Sequence, residues 1–220
     1  MNDSSALQLL VLAGVAIFLF LKLRSVLGTR EGFEQPPVPR GETSRDAQRN
    51  FEVIEGGPDR DITDYVAEGS PEAEVLAAMK KAEPGFSVSE FIGGARGAYE
   101  MILMGFERGD LGAIKPFLAD DVYETFADVV VDRENKGLTI EAEFIGISEI
   151  TIAGAEFNST TSVGEISVRF IGELTSVVRD RAGDIIEGDK KKVKRQRDTW
   201  TFAHEMGADN PNWKLVATGE

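Results

Sequence analysis

After Gly137 the spacing of apolar residues changes from about 3.6 to about 2, and that change limits the folds open to the chain. Before it, Phe91, Ala95, Ala98, Ile102 and Phe106 recur at helical intervals, as do Val122, Phe126 and Val129. After it, Ile140, Ala142 and Phe144 alternate with polar residues, as do Ile166, Val168 and Phe170. A helical half followed by long strands predicts an α+β domain. Its helices cover one face of a curved, mainly antiparallel sheet.

Punctuation residues set the element ends. Ser70-Pro71 supplies an N-cap and a proline at the first helical position, and Pro84-Gly85 stops that helix. Ser87 and Glu90 have capping-box spacing and open a long helix to about Arg108. Gly93, Gly94 and Gly97 weaken that helix, so the sequence predicts a backbone packed closely against them. Gly109 ends it, Asp110 caps a short helix to about Phe117, and Asp120 is read as the cap of the next. Strands are predicted over 138–152, with a bulge at Gly146, then 163–178, 185–186, 193–202 and 213–216. A sheet bent in this way is expected to enclose a pocket.

Two segments precede this domain. From Ala6 to Leu21 the chain is apolar except for Gln8, and the stretch 6–23 as a helix spans roughly 27 Å, about a hydrocarbon core. No basic residue precedes the run, and no small-x-small cleavage site follows it, which favours an uncleaved transmembrane anchor over a signal peptide. Lys22, Arg24 and Arg30 follow the span and only Asp3 precedes it, so the domain is expected in the cytoplasm. Residues 24–70, with Pro36-Pro37-Val38-Pro39, read as a disordered linker. Residues 71–84 read as a linking helix and 85–218 as the folded domain.

Charge and composition exclude several classes of function. The formal net charge of −14 opposes general nucleic-acid binding. The charge is uneven: residues 71–189 hold 23 acids against 10 bases, whereas 190–220 hold 4 acids and 7 bases. One histidine and no cysteine leave little to ligate a metal, so neither a metal nor another cofactor is expected. Tyr99, Tyr123, Asp198 and His204 are the only candidates for pocket acid–base chemistry, and His204 is expected to be exposed at a strand end. No His/Asp pair stands at a suggestive spacing, and Gly93-Gly94-Ala95-Arg96-Gly97 lacks the lysine of a phosphate loop. The chain is therefore expected not to be an enzyme.

Two groups of residues remain as candidate binding sites. Lys190, Lys191, Lys192, Lys194, Arg195 and Arg197 are candidates for anionic lipid or an acidic partner. The bland alternative is a lysine-protected sheet edge. Tyr99, Phe144, Phe170, Trp200, Phe202 and Trp213 are candidates for a hydrophobic pocket, or more simply for core.

A set of short motifs points to a family. Phe86 and Phe91 precede Gly94-Ala95 and Tyr99, and Gly109-Asp110-Leu111 follows the long helix. Asp180 with Gly183, Gly188-Asp189, Asp198-Thr199-Trp200-Thr201-Phe202 and Pro211-Asn212-Trp213-Lys214-Leu215 come later. From Phe86 to Leu215 the chain resembles the Tim-forty-four-like domain family, the C-terminal domain of the mitochondrial inner-membrane import-motor adaptor. Its layout is most similar to the bacterial adaptor branch called TimA. The resemblance implies a cone-like fold similar to nuclear transport factor two, with a hydrophobic cavity. It also implies a non-catalytic adaptor or scaffold at the bacterial inner membrane, with its N-terminus periplasmic. The implied partners are a membrane protein complex or chaperone, and anionic lipid. The alternatives kept beside it are a pocket enzyme of the isomerase or dehydratase type and an anionic-lipid sensor.

Overall fold

The computed structural model describes residues 57–219, and the predicted anchor and most of the predicted linker lie outside the described residues. Among the described residues no helix is long and apolar enough to cross a membrane.

Helix α1, Arg60–Thr63, lies within the stretch expected to be linker. It is held by Ile62, 4% exposed, and by the Asp61 carboxylate. A four-residue helix with one buried apolar side chain has no period to read, which is why the sequence did not announce it. Helix α2, Pro71–Ala82, starts as predicted, with the Ser70 hydroxyl accepting from the Ala73 N–H. Helix α3, Val88–Arg108, buries Phe91, Ala95, Tyr99, Ile102 and Leu103, and ends at Gly109 in the left-handed region. Helix α4, Leu111–Ile114, runs into a 3-10 turn, Lys115–Phe117.

Helix α5, Asp120–Lys136, corrects the cap assignment: Ala119 occupies the cap position and makes no side-chain bond there. Asp120 and Asp121 sit instead in the first turn, where carboxylates favour the helix dipole. What holds the entry to α5 is backbone pairing: the Ala119 N–H donates to the Leu215 carbonyl at 2.9 Å.

The sheet has five strands: β1 Thr139–Asn158, β2 Val163–Arg179, β3 Ile185–Gly188, β4 Lys194–Glu205 and β5 Lys214–Gly219. Their order is β1-β2-β4-β5, with β3 beside the end of β2, and every strand pairing is antiparallel. β1 runs six residues beyond the predicted end because three register shifts, at Phe144/Gly146, Ile147/Glu149 and Ile152/Gly154, reset its phase. Such bulges bend a strand. β4 likewise continues three residues past Phe202 to Glu205, and β5 starts one residue after Trp213.

The inner face of β2 carries Ile166, Val168, Phe170 and Leu174, all buried. Tyr99 stacks on Phe170 at 4.4 Å between ring centroids, with Trp200 at 4.7 Å and Phe144 at 6.1 Å. A Cβ at Gly172 would stand 2.6 Å from the Tyr99 hydroxyl, so the ring comes this close only because that position is glycine. The inner aromatic residues expected to line a pocket therefore pack against one another.

Candidate functional site

The open feature of the domain is a groove on the outside of α3. It runs between the Glu83–Ser87 turn, one face of α3 and the Pro211–Trp213 loop, with a volume of about 510 Å³. Phe91 and Phe202 form its floor, in edge contact at 6.1 Å. Trp213 forms a wall, 4.6 Å from Phe91 and 5.8 Å from Phe86.

The helix face turned to the groove is nearly bare. Glu90, Gly94, Gly97 and Met101 fall on one line of α3, and the line covers about 16 Å at 1.5 Å per residue. Gly93, Gly94 and Gly97 are exposed, and a Cβ at any of them would meet nothing within 4 Å. The backbone predicted to pack on these glycines is not found among the described residues. Gly105 behaves in the opposite way, since its Cβ would lie 2.5 Å from Ile114 Cγ2.

Asp61 explains how Glu90 stays available. The capping box forms only in half: the Ser87 hydroxyl accepts from the Glu90 N–H at 3.3 Å, and the Glu90 carboxylate makes no bond among the described residues. Asp61 takes over the cap from α1, accepting from the Val88 N–H at 2.8 Å, the Ser89 N–H at 2.9 Å and the Ser87 hydroxyl at 3.0 Å. Partial burial works against its charge. The Lys80 ammonium and the Ser89 and Val88 N–H groups outweigh that and hold the carboxyl well below the usual carboxylate range. Lys80 is itself committed to Asp59 at 2.7 Å and Asp61 at 2.8 Å.

Glu83 closes the same end of the groove. Its Oε2 accepts from the Gly207 N–H at 2.8 Å and lies 3.1 Å from His204 Nε2. His204 is buried, not exposed as expected, because the longer β4 carries it onto the inner face in phase with Trp200 and Phe202. Its ring lies 5.3 Å behind Trp213.

The predicted pocket residues divide. Phe202 and Trp213 line the groove, whereas Tyr99, Phe144, Phe170 and Trp200 belong to the core cluster. The Tyr99 hydroxyl donates to Asp198 Oδ2 at 2.5 Å; burial and that carboxylate push the hydroxyl far above the ordinary tyrosine range. Gln196 donates to the other oxygen of Asp198 at 3.1 Å. Tyr123 stands apart, its ring under the Lys115 ammonium at 4.8 Å.

The six bases do not form one stripe. Gly188, in the left-handed region, and Asp189 turn the chain, so Lys190, Lys191 and Lys192 lie in the loop before β4. Lys190 pairs with Glu141, which Arg179 also holds at 2.8 Å. Arg195 reaches Glu173 at 3.3 Å and donates to the Ser148 hydroxyl at 3.2 Å. Lys194 and Arg133 both favour the charge of Glu107, whose carboxyl is nonetheless pushed up by burial. Arg197 is exposed on β4, on the same side of the strand as Arg195. Sequence reading missed Glu107, as it missed Glu83 and Glu90 as groove residues. The last two were visible only as a helix stop and a capping signal.

The family model of the Tim44-like domain matches residues 72–220. The chain belongs to the Tim44-like domain family. The match begins at α2, so the helix read as a linking segment is part of the Tim44-like domain. Curated relatives include the mitochondrial import inner membrane translocase subunit TIM44 of Homo sapiens, 23% identical over 147 residues, which are 66% of this chain and 32% of the relative. The same subunit of Rattus norvegicus is also 23% identical over 147 residues, with the same coverage. The chain thus spans about a third of the length of the curated relatives it matches.

Solved structures with some likeness include the intermembrane-space region of the chloroplast protein ARC6, with a TM-score of 0.35 and 9% identity. That likeness covers 50% of this chain and 75% of the other. A ketosteroid isomerase-like protein from Erwinia carotovora atroseptica has a TM-score of 0.27 and 14% identity, covering 56% and 88%. Neither likeness bears on the reading of the site. The Tim44-like motif residues sort by place. Gly109, Gly183 and Gly188 have positive φ and make turns, whereas Phe86, Phe91, Gly94, Ala95, Pro211, Asn212 and Trp213 surround the groove.

Proposed function

We infer that this Tim44-like protein is a non-catalytic, membrane-tethered adaptor that holds segments of partner proteins in the α3 groove. The observation that carries the reading is the groove itself, an open aromatic channel around which the motif residues of the domain gather. The curated relatives are named as subunits of an inner-membrane import translocase, which supports a role in protein transport or membrane-protein biogenesis. The apolar run at 6–23 supports a single-pass anchor in a bacterial inner membrane, with the domain cytoplasmic on a scaffold of the cone-like type of nuclear transport factor two. Anionic lipid is the secondary partner, and its weight is reduced by the ion pairs that occupy Lys190 and Arg195.

A pocket enzyme is the second reading, and one observation favours it: Glu107 is a carboxyl raised by burial. Against it, the nearest hydroxyl partner pair, Tyr99–Asp198, has its tyrosine fully buried in the core.

The test is affinity purification of the full chain from native membranes, beside Gly94→Trp. Gly94 is exposed with open space around it, so the tryptophan fills the groove without disturbing the core. The reading expects one reproducible membrane complex with the unaltered chain and its loss with Gly94→Trp at an unchanged melting temperature. Equal recovery with both would exclude the groove as the binding site.

A further inference from the structure

The charges around the groove are of one sign. Its lining includes Glu83 and Glu90 and no lysine, arginine or histidine. The nearby cation, Lys80, is already shared between Asp59 and Asp61 and leaves the two glutamates uncompensated. Both sit at the end of the groove where α3 begins, and beyond them the lining is aromatic, glycine or methionine. Such a channel repels an anionic headgroup and attracts a ligand that is apolar along its length and cationic at one end.

The glycine face adds a geometric requirement. Helices packed through side chains stay about 8–10 Å apart, and the near end of that range needs small residues at the contact. Gly93, Gly94 and Gly97 leave room for a helix of about three turns to settle on α3 between Phe91 and Met101, with Trp213 against its flank.

We propose that the groove takes a cationic amphipathic helix of a partner polypeptide, its apolar face on Phe91, Phe202 and Trp213 and its lysine or arginine side chains at Glu83 and Glu90. This rests on the reading of the groove as a site for polypeptide and names the chemistry of what it selects. Glu90 is the group that discriminates, because its carboxylate is exposed and unbonded, whereas Glu83 is also tied to Gly207 and His204.

The experiment uses the full chain in phosphatidylcholine nanodiscs, with empty discs subtracted. The probe is a labelled five-turn peptide of leucine, alanine, lysine and arginine in amphipathic order, compared with the same peptide carrying glutamate for every base. Fluorescence anisotropy is expected to show the cationic peptide binding at least about tenfold more tightly than the acidic one. Glu90→Gln should weaken the cationic peptide by about two- to fivefold, the range of one exposed ion pair, and raised salt should do the same. Gly94→Trp should abolish binding.

Equal binding of both peptides with no effect of Glu90→Gln overturns the charge selection and leaves a polypeptide groove standing. Binding of neither peptide, with a fatty-acid probe quenching Trp213, overturns both. Self-association of the chain that Gly94→Trp abolishes assigns the groove to a second copy and overturns the proposal.

Discussion

Replacing Gly93, Gly94 and Gly97 together by alanine should stabilise the domain and impair binding. Each glycine sits inside α3, with helical backbone and nothing within 4 Å of the added methyl. Alanine at an exposed helix interior gains about 0.5–1 kcal/mol over glycine. Three such sites, far from the other contacts of the core, give about 1.5–3 kcal/mol. For a domain of this size that corresponds to a rise in melting temperature of roughly 3–12 °C. Thermal unfolding of the full chain followed by circular dichroism reads the stability. The same protein should bind groove ligands more weakly, since three methyl groups lift any helix off α3. Gly105→Ala is the control, because its methyl would collide with buried Ile114; there about 1–3 kcal/mol should be lost. A triple variant that melts below the parent would show that a backbone packs on the glycines after all, and the open-groove account would fail.

Asp61 and Tyr99 give pH predictions of opposite sense. The carboxyl of Asp61 is depressed in the fold, so its contribution is present above the model value of 3.8 and is lost as pH falls below it. Asp61→Asn should cost about 1.5–3 kcal/mol at neutral pH and remove part of the acid lability, as denaturant titrations at pH 3 and 7 would reveal. The Tyr99 hydroxyl is raised in the fold, so its contribution is full below the model value of 10.0 and declines as pH rises beyond it. Tyr99→Phe should lose about 1.5–3 kcal/mol at pH 7 and show a flatter alkaline arm; an unchanged alkaline arm would mean the bond to Asp198 is worth little. Neutralising Lys190, Lys191 and Lys192 should leave binding to anionic vesicles nearly unchanged, measured by flotation, because these lysines lie in a loop and not in one stripe.

The helices could be read closely from the sequence because their punctuation is chemical: Ser70-Pro71, Ser87, Gly109 and Gly137 each mark an end that the structure shows. Strand lengths were read less well. Alternation breaks at each bulge, so β1 looked finished at Ile152 although it continues to Asn158. The error at β4 had a larger consequence, since three extra strand residues turn His204 from the surface to the interior.

The groove was partly visible. Phe202 and Trp213 were marked as pocket candidates, and the glycines of α3 were marked as unusual. That the glycines face open space depends on which side of α3 the sheet covers, and no local pattern encodes it. Glu90 was hidden for another reason. Its spacing from Ser87 is that of a capping box, and only the arrival of Asp61, 26 residues before Ser87, relieves it of that task.

The most direct test of the account is site-specific photocrosslinking in living cells, with the probe at Met101 in the groove and at Glu165 on the opposite face of the sheet. The account predicts discrete protein adducts from Met101, absent from Glu165 and lost when Gly94→Trp is added. Adducts from both positions alike, or lipid adducts alone from Met101, would contradict a groove that holds partner polypeptide.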